Sequence, residues 1–158
     1  MWSGAGAGWL FAQICSDAGS VLMSYASRFV LTSIEDIKTV ANAVLNGVGR
    51  YAPLSEERRF DIALVINELL ANSFEHAAPS PRNPVVLAAG LNGKSLHIGI
   101  RDGGEGFEVE ETLERLAQPL NEDELYRERG RGLRLVQALC KEINFGDRGN
   151  SVEVKIEL

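Results

Sequence analysis

The chain has 158 residues, of which 45% are hydrophobic and 24% charged, and its formal net charge is -6 at pH 7. These values are typical of one globular domain that buries its own core, and they argue against wholesale disorder. An acidic chain repels a phosphate backbone, which disfavours a general nucleic-acid binder. The two cysteines, Cys15 and Cys140, lack zinc-ligand spacing, so we expect no structural zinc and a reduced, cytoplasmic setting.

Residues 1–22 are rich in Gly, Ala and Ser, and the run from Met1 to Ser16 carries no charge. That run is shorter than the about 20 apolar residues that span a bilayer. The first basic residue is Arg28, so the run also lacks the basic start of a secretory signal. We therefore predict a flexible N-terminal extension at 1–22, with Met23 as the start of the folded domain at 23–158. A weakly membrane-associating or partner-docking segment is the alternative.

Hydrophobic periodicity predicts one short strand and two helices in the first half of the chain. These are a strand at 27–32, a helix at 34–50 and a helix at 56–77. Ser33 and Ser55 are the expected N-caps, and acidic residues follow each of them in the first turn, where they suit the helix dipole. Prolines at 79, 81 and 84 end the second helix.

The second half of the chain is predicted as a hairpin, a long loop, a helix and two final strands. The elements are strands at 85–91 and 94–102, a helix at 132–142, and strands at 143–147 and 151–158. Asn92-Gly93 between two β-type runs is a strong hairpin signal. The element order predicts an α/β (α+β) two-layer sandwich, with three helices on one face of a mixed, mostly antiparallel sheet. A doubly wound parallel sheet is disfavoured because two strand pairs are adjacent hairpins.

The second helix carries Glu68, Asn72 and His76 one turn apart, within roughly 80° of one another at the edge of its buried stripe. A solvated polar face is the simplest interpretation. Asn is a mediocre helix former, however, which favours a specific role at position 72. An amide oxygen and a carboxylate in this arrangement can serve Mg2+ and a hydroxyl or water nucleophile. His76 also suits a helix end, where it interacts with the dipole.

Two glycine clusters follow, and each is a candidate ligand loop. In DGGEGF at 102–107, glycines allow a close approach to the backbone, and Asp102 can accept a hydrogen bond from an exocyclic amine. In RERGRGLRLV at 127–136, Gly130 and Gly132 precede a helix among four arginines, which is typical of an anion site. Tight acidic turns and solvated arginines are the alternatives. The second cluster fits neither a P-loop nor a GxGxxG fingerprint.

Taken in order, these three segments resemble the motifs of the GHKL superfamily of histidine kinase-like ATPases, and most closely its anti-sigma-factor serine kinase branch. The first motif lies in DIALVINELLANSFEHA at 61–77, where Glu68 and Asn72 are four residues apart. The D-x-G-x-G loop corresponds to Asp102, Gly104 and Gly106, and the G-x-G-L motif to Gly130, Gly132 and Leu133. The resemblance covers about residues 27–158.

The resemblance implies a role for each of these residues. Glu68 would be the catalytic general base and Asn72 the ligand of Mg2+ on the ATP phosphates, while Asp102 would accept a hydrogen bond from the adenine amino group. Gly104 and Gly106 would pack on adenosine, and Gly130, Gly132 and Leu133 would hold the phosphates beneath a mobile lid at 107–129. Ser151 stands where the family often has a Thr. The acidic lid offers no recognisable phosphate-binding Lys, and residues 1–22 have no counterpart in the family.

The resemblance therefore implies an ATP- and Mg2+-dependent protein serine/threonine kinase that is also an anti-sigma factor. Its partners would be a sigma factor and an anti-anti-sigma (STAS-type) protein, which it phosphorylates. We expect a cytoplasmic homodimer with no direct nucleic-acid or membrane contact. One alternative is a nucleotide-gated binding switch without phosphoryl transfer. A domain detached from a two-component histidine kinase is disfavoured, because neither His76 nor His97 lies on a separate dimerisation helix.

Overall fold

The computed structural model describes residues 23–120, 122, 131–146 and 148–158. The predicted extension at 1–22 lies outside these residues, as do Gly130 and part of the predicted lid. The described elements are β1 Tyr25–Leu31, α1 Asp36–Gly49, α2 Glu56–Ala77, β2 Val85–Asn92, β3 Ser95–Arg101, α3 Val109–Ala117, α4 Arg131–Leu139, β4 Glu142–Phe145 and β5 Ser151–Glu157. None of these helices is both long and apolar enough to cross a membrane.

The five strands form one sheet in the order β1-β2-β3-β5-β4, and every neighbouring pair is antiparallel. This confirms the predicted two-layer α+β sandwich. The β2–β3 hairpin is also confirmed, although Asn92 pairs with Ser95 and the two-residue loop is therefore Gly93-Lys94. Gly93 has φ +61°, a left-handed conformation that glycine adopts without steric cost.

Strand alternation puts large apolar side chains on one face of the sheet, and α1 and α2 bury their apolar stripes against it. Across the centre of this face, the register aligns Leu87 with Ile100, and Ile100 in turn with Val152. Burial of these side chains supplies the main stabilisation, at about 25 cal/mol per Å2 of apolar surface. The core therefore lies between the helices and one face of the sheet.

The two predicted helix caps have different outcomes. Ser55 is the N-cap of α2, since its Oγ accepts a hydrogen bond from the Arg58 N–H at 3.1 Å. Ser33 is not the N-cap of α1, because it lies in a preceding turn in which its Oγ accepts from the Glu35 N–H at 3.3 Å. The Ser33 N–H donates to Asp36 Oδ2 at 3.3 Å within the same turn. The helix begins after this turn, at Asp36.

Helix α3 lies in the segment predicted as a loop. Val109, Leu113 and Leu116 have helical i, i+4, i+7 spacing, but the surrounding glutamates obscure this short pattern. Only Leu116 is buried among the residues of α3. At the other boundary, α4 ends at Leu139 rather than at residue 142, because Glu142 already pairs with Lys155 in the sheet.

Candidate functional site

A cleft opens on the helical side of the sheet, between the C-terminal half of α2, the end of β3 and the β4–β5 turn. It contains about 360 Å3 of space between its lining residues, a figure that includes the open solvent at its mouth. It is lined by Leu69, Asn72, Ser73, His76, Ile100, Asp102, Gly106, Phe107, Leu133, Phe145, Gly149, Asn150, Ser151 and Val152. The cleft therefore brings together residues of all three predicted motifs.

Asp102 lies at the polar centre of this cleft. It follows β3 directly, and its N–H donates to the Asn150 carbonyl at 2.9 Å. Its Oδ1 accepts from the Gly104 N–H at 2.8 Å, and the Ser73 side chain lies beside the carboxylate. Burial raises the pKa of Asp102 above its usual range, although the Gly104 N–H, the Ser73 hydroxyl and nearby His76 oppose the shift. Asp102 is thus a half-buried, fixed acceptor.

The loop after Asp102 packs tightly on the β4–β5 turn. Gly106 has φ +79°, and a Cβ there would run into the Arg148 carbonyl oxygen. The Phe107 N–H donates to that same oxygen at 3.1 Å. A Cβ on Gly104 would come within 3.0 Å of the Ala77 Cα. Both glycines are therefore required by the chain's own packing, and Gly106 also lines the cleft.

We expect Gly106→Ala to weaken both the fold and ligand binding. A left-handed φ costs an alanine roughly 1–2 kcal/mol, and the clash with Arg148 adds to that. Gly93→Ala is the matched control, because Gly93 has φ +61° but open space around its Cβ position. Urea unfolding should give a clearly larger loss for Gly106→Ala, accompanied by weaker ATP binding in calorimetry. Equal losses in the two variants would contradict this packing role.

Glu68 and Gly132 meet where α2 packs on the start of α4. A Cβ on Gly132 would run into Glu68 Oε2, so the carboxylate end of the Glu68 side chain lies directly against Gly132. The N-terminal end of α4 favours negative charge through the helix dipole. Asn72, one turn after Glu68, lines the cleft, whereas Glu68 lies just outside its lining. The first and third motifs are therefore in contact.

Metal binding by side chains alone is not evident in the part of the chain that the structure describes. No group of three or more His, Cys, Asp or Glu residues there is placed to hold an ion. The Asn72 amide is a suitable single ligand, since Mg2+ is commonly held by few protein groups together with substrate phosphates. The prediction of Asn72 as a metal ligand stays a prediction.

Aromatic residues that sequence analysis did not single out form one wall of the cleft. The rings of Phe107 and Phe145 pack edge to face, with centroids 5.3 Å apart, and His76 lies 6.4 Å from Phe107. Leu133 is only 9% exposed and belongs to the core, so its place in the cleft is that of an apolar wall. This apolar wall, together with the Asp102 carboxylate as a hydrogen-bond acceptor, suits a flat heterocycle with an exocyclic amine.

The position of Ser151 is less favourable than the resemblance implies. Ser151 lines the cleft, but its partner in the sheet is Arg101. Strand alternation puts Val152, rather than Ser151, on the side of Ile100. A hydrogen-bonding role of Ser151 beside Asp102 stays a prediction.

Arg134 of α4 holds the end of α3. Its guanidinium donates to the Gln118 carbonyl at 2.8 Å and to the Arg115 carbonyl at 3.0 Å. These carbonyls belong to the last turn of α3 and the residue after it, where a cation is favourable. Helix α3, which lies in the acidic predicted lid, is therefore attached to α4, the helix that carries Gly132 and Leu133.

We expect Arg134→Ala to loosen α3. Loss of the two charge-assisted hydrogen bonds to the Arg115 and Gln118 carbonyls should speed amide exchange in α3 about tenfold, equivalent to about 1.4 kcal/mol. Arg131→Ala is the control, because Arg131 is an exposed arginine at the start of the same helix. Hydrogen exchange resolved by peptide would check this, and equal acceleration in both variants would contradict it.

A family model described as a histidine kinase-like ATPase domain matches residues 31–156. The match covers most of the chain, so the chain belongs to this family, and its resemblance to the GHKL superfamily is confirmed. Membership implies that the chain binds ATP, and the acceptor, aromatic wall and glycines of the cleft fit that ligand. No curated protein matches the chain.

Proposed function

We propose that this protein is an ATP- and Mg2+-dependent protein serine/threonine kinase and anti-sigma factor that phosphorylates an anti-anti-sigma (STAS-type) protein. The observation that supports it best is the position of Glu68 against Gly132, one helical turn before Asn72. A carboxylate held beside the glycine motif of an ATPase domain is suited to accept a proton from an attacking hydroxyl. Membership of the histidine kinase-like ATPase family supports the choice of ATP.

Each site residue has a role in this proposal. Asp102 accepts a hydrogen bond from the adenine amino group, and Phe107 and Phe145 provide an apolar wall. Asn72 would hold Mg2+, which would neutralise negative charge on the ATP phosphates.

Gly132 would offer its backbone N–H to phosphate oxygens; the same role for Gly130, which lies outside the described residues, stays a prediction. Glu68 takes the proton of the partner's serine hydroxyl at its carboxylate oxygen. The hydroxyl oxygen then bonds to the γ-phosphorus of ATP, the bond from that phosphorus to the bridging oxygen breaks, and ADP leaves. The protein then needs mainly to position and orient the reacting groups.

A nucleotide-gated switch without transfer is the second candidate function. The described residues that line the cleft include neither Lys nor Arg, whereas phosphoryl transfer commonly uses such cations to stabilise developing charge. In this alternative, ATP binding would alter affinity for the partner, and no phosphate would move.

The proposed function is tested by incubating the full chain with an anti-anti-sigma protein and ATP labelled at the γ-phosphate. Transfer should leave an acid-stable label on a serine or threonine of the partner and should require Mg2+. An Asn72→Ala variant should lose transfer, whereas Asn42→Ala, on the exposed surface of α1, should retain it. Tight ATP binding with no labelled partner would instead support the switch.

The remaining parts of the proposal are a homodimer, a sigma factor as second partner, and a cytoplasmic location without direct nucleic-acid or membrane contact. Sedimentation of the full chain over a range of concentrations tests the dimer. Co-purification with a sigma factor, with ATP and with ADP, tests the anti-sigma role.

A further inference from the structure

The sheet has a second face, opposite the helices, which we term the open face. The register places Val30, Val86 and Arg101 in one row across it, and Arg28, Ala88, Gly99 and Glu153 in the next. Val86 and Ala88 do not belong to the core that the described helices form. The centre of the open face is therefore a patch of small and apolar residues, Val86, Ala88 and Gly99, bordered by Arg28, Arg101 and Glu153.

The centre of the open face is nevertheless buried. Ala88 is 0% exposed, Val86 8% and Glu153 3%. Ala88 pairs with Arg28 on one side and Gly99 on the other. Glycine cannot cover a neighbouring side chain, and the Arg28 side chain is exposed. Burial of this patch therefore requires a cover that the described helices do not supply.

Residues 1–22 are the part of this chain best placed to cover it. The segment leads directly into β1, and the Ser24 N–H donates to the Leu91 carbonyl at 2.9 Å at the end of the β1–β2 pair. Twenty-two residues can reach about 70 Å when extended, whereas four strand spacings amount to only about 19 Å. The segment can therefore cross the whole sheet.

The composition of the segment also suits this patch. It carries no charge from Met1 to Ser16 and contains Trp2, Trp9 and Phe11 among glycines and alanines. Large apolar side chains gain about 25 cal/mol per Å2 when removed from water. A surface of Ala88 and glycines leaves room for rings of this size. We propose, in place of the flexible extension expected from composition, that residues 1–22 dock on the open face of their own chain and cover the patch around Val86 and Ala88.

Tryptophan fluorescence tests this docking directly, because Trp2 and Trp9 are the only tryptophans in the chain. In the full chain, the emission should lie at shorter wavelength than in a synthetic peptide of residues 1–22. Acrylamide quenching should be several-fold weaker than in that peptide. Emission and quenching equal to those of the free peptide would overturn the proposal.

A matched pair of substitutions locates the docking site. Val86→Asp should raise quenching toward the value of the free peptide, because it places a charge in the apolar patch. Phe60→Asp is the control, since Phe60 is exposed on α2 and should leave quenching unchanged. Far-UV circular dichroism verifies that both variants are folded. A folded Val86→Asp protein with unchanged quenching would overturn the proposal.

A second measurement covers the case in which Val86→Asp does not fold. In full chains with Cys15→Ser and Cys140→Ser, the thiol introduced by Ala88→Cys should react slowly with a maleimide. Adding Trp9→Ser and Phe11→Ser should speed labelling at least tenfold. Slow labelling that is unaffected by these changes would overturn the proposal. So would protection that disappears on dilution, because it would identify a second copy as the cover.

Discussion

Glu68→Gln should slow phosphoryl transfer by about 10²–10⁴-fold, the usual contribution of a general base, while ATP affinity stays nearly unchanged. Glutamine keeps the shape of the side chain beside Gly132 but cannot take a proton from the attacking hydroxyl. Because Glu68 lies outside the lining of the cleft, its replacement should affect transfer far more than nucleotide binding. Initial rates of partner phosphorylation, with calorimetry of ATP binding, measure the two effects separately.

The control for this variant is Glu57→Gln, which changes an exposed glutamate in the first turn of the same helix. That variant should phosphorylate the partner at the wild-type rate. If Glu68→Gln also did so, Glu68 would not be the base. If it lost ATP binding as well, the carboxylate would instead have a structural role at the start of α4.

Asp102→Asn should weaken ATP binding by about 10- to 150-fold, which corresponds to the about 1.5–3 kcal/mol of a hydrogen bond to a charged group. The asparagine amide can still accept from Gly104, but it presents a donor group where the adenine amino group needs an acceptor. Glu105→Gln, at an exposed position of the same loop, should bind ATP like the wild type. Undiminished binding by Asp102→Asn would show that the cleft does not hold adenine in this way.

The same variant should be as stable as the wild type at neutral pH, or more stable. Burial raises the pKa of Asp102 in the folded protein, so folding favours the protonated form. Its contribution to stability is therefore fully present below the unfolded-state pKa and is lost as the pH rises through the folded-state pKa. The wild type should gain stability relative to Asp102→Asn as the pH falls through this range. Urea midpoints at acidic and neutral pH measure this gain, and a loss would contradict the assignment.

The variants Glu68→Gln and Asp102→Asn test structural features that could be predicted from the sequence to different degrees. The helix at 56–77 and its Ser55 cap were predictable, because helical periodicity and capping are local properties. The β2–β3 hairpin was predictable for the same reason. The order of Glu68, Asn72, Asp102 and Gly132 along the chain was sufficient to indicate the family. The short helix α3 was not predicted, since only Leu116 in it is buried and its remaining side chains are mainly polar.

The contacts among these motifs were decided by the tertiary structure. Insertion of β5 between β3 and β4 brings Asn150 to Asp102 and Arg148 to Phe107, and packing of α2 on α4 brings Glu68 to Gly132. The sequence by itself determined the helices, the strand alternation and the chemical groups of the site, because these depend on neighbouring residues. The contacts between these groups depend on the packing of apolar faces and the pairing of strand edges that lie far apart in the chain. These contacts therefore form only when the core is packed.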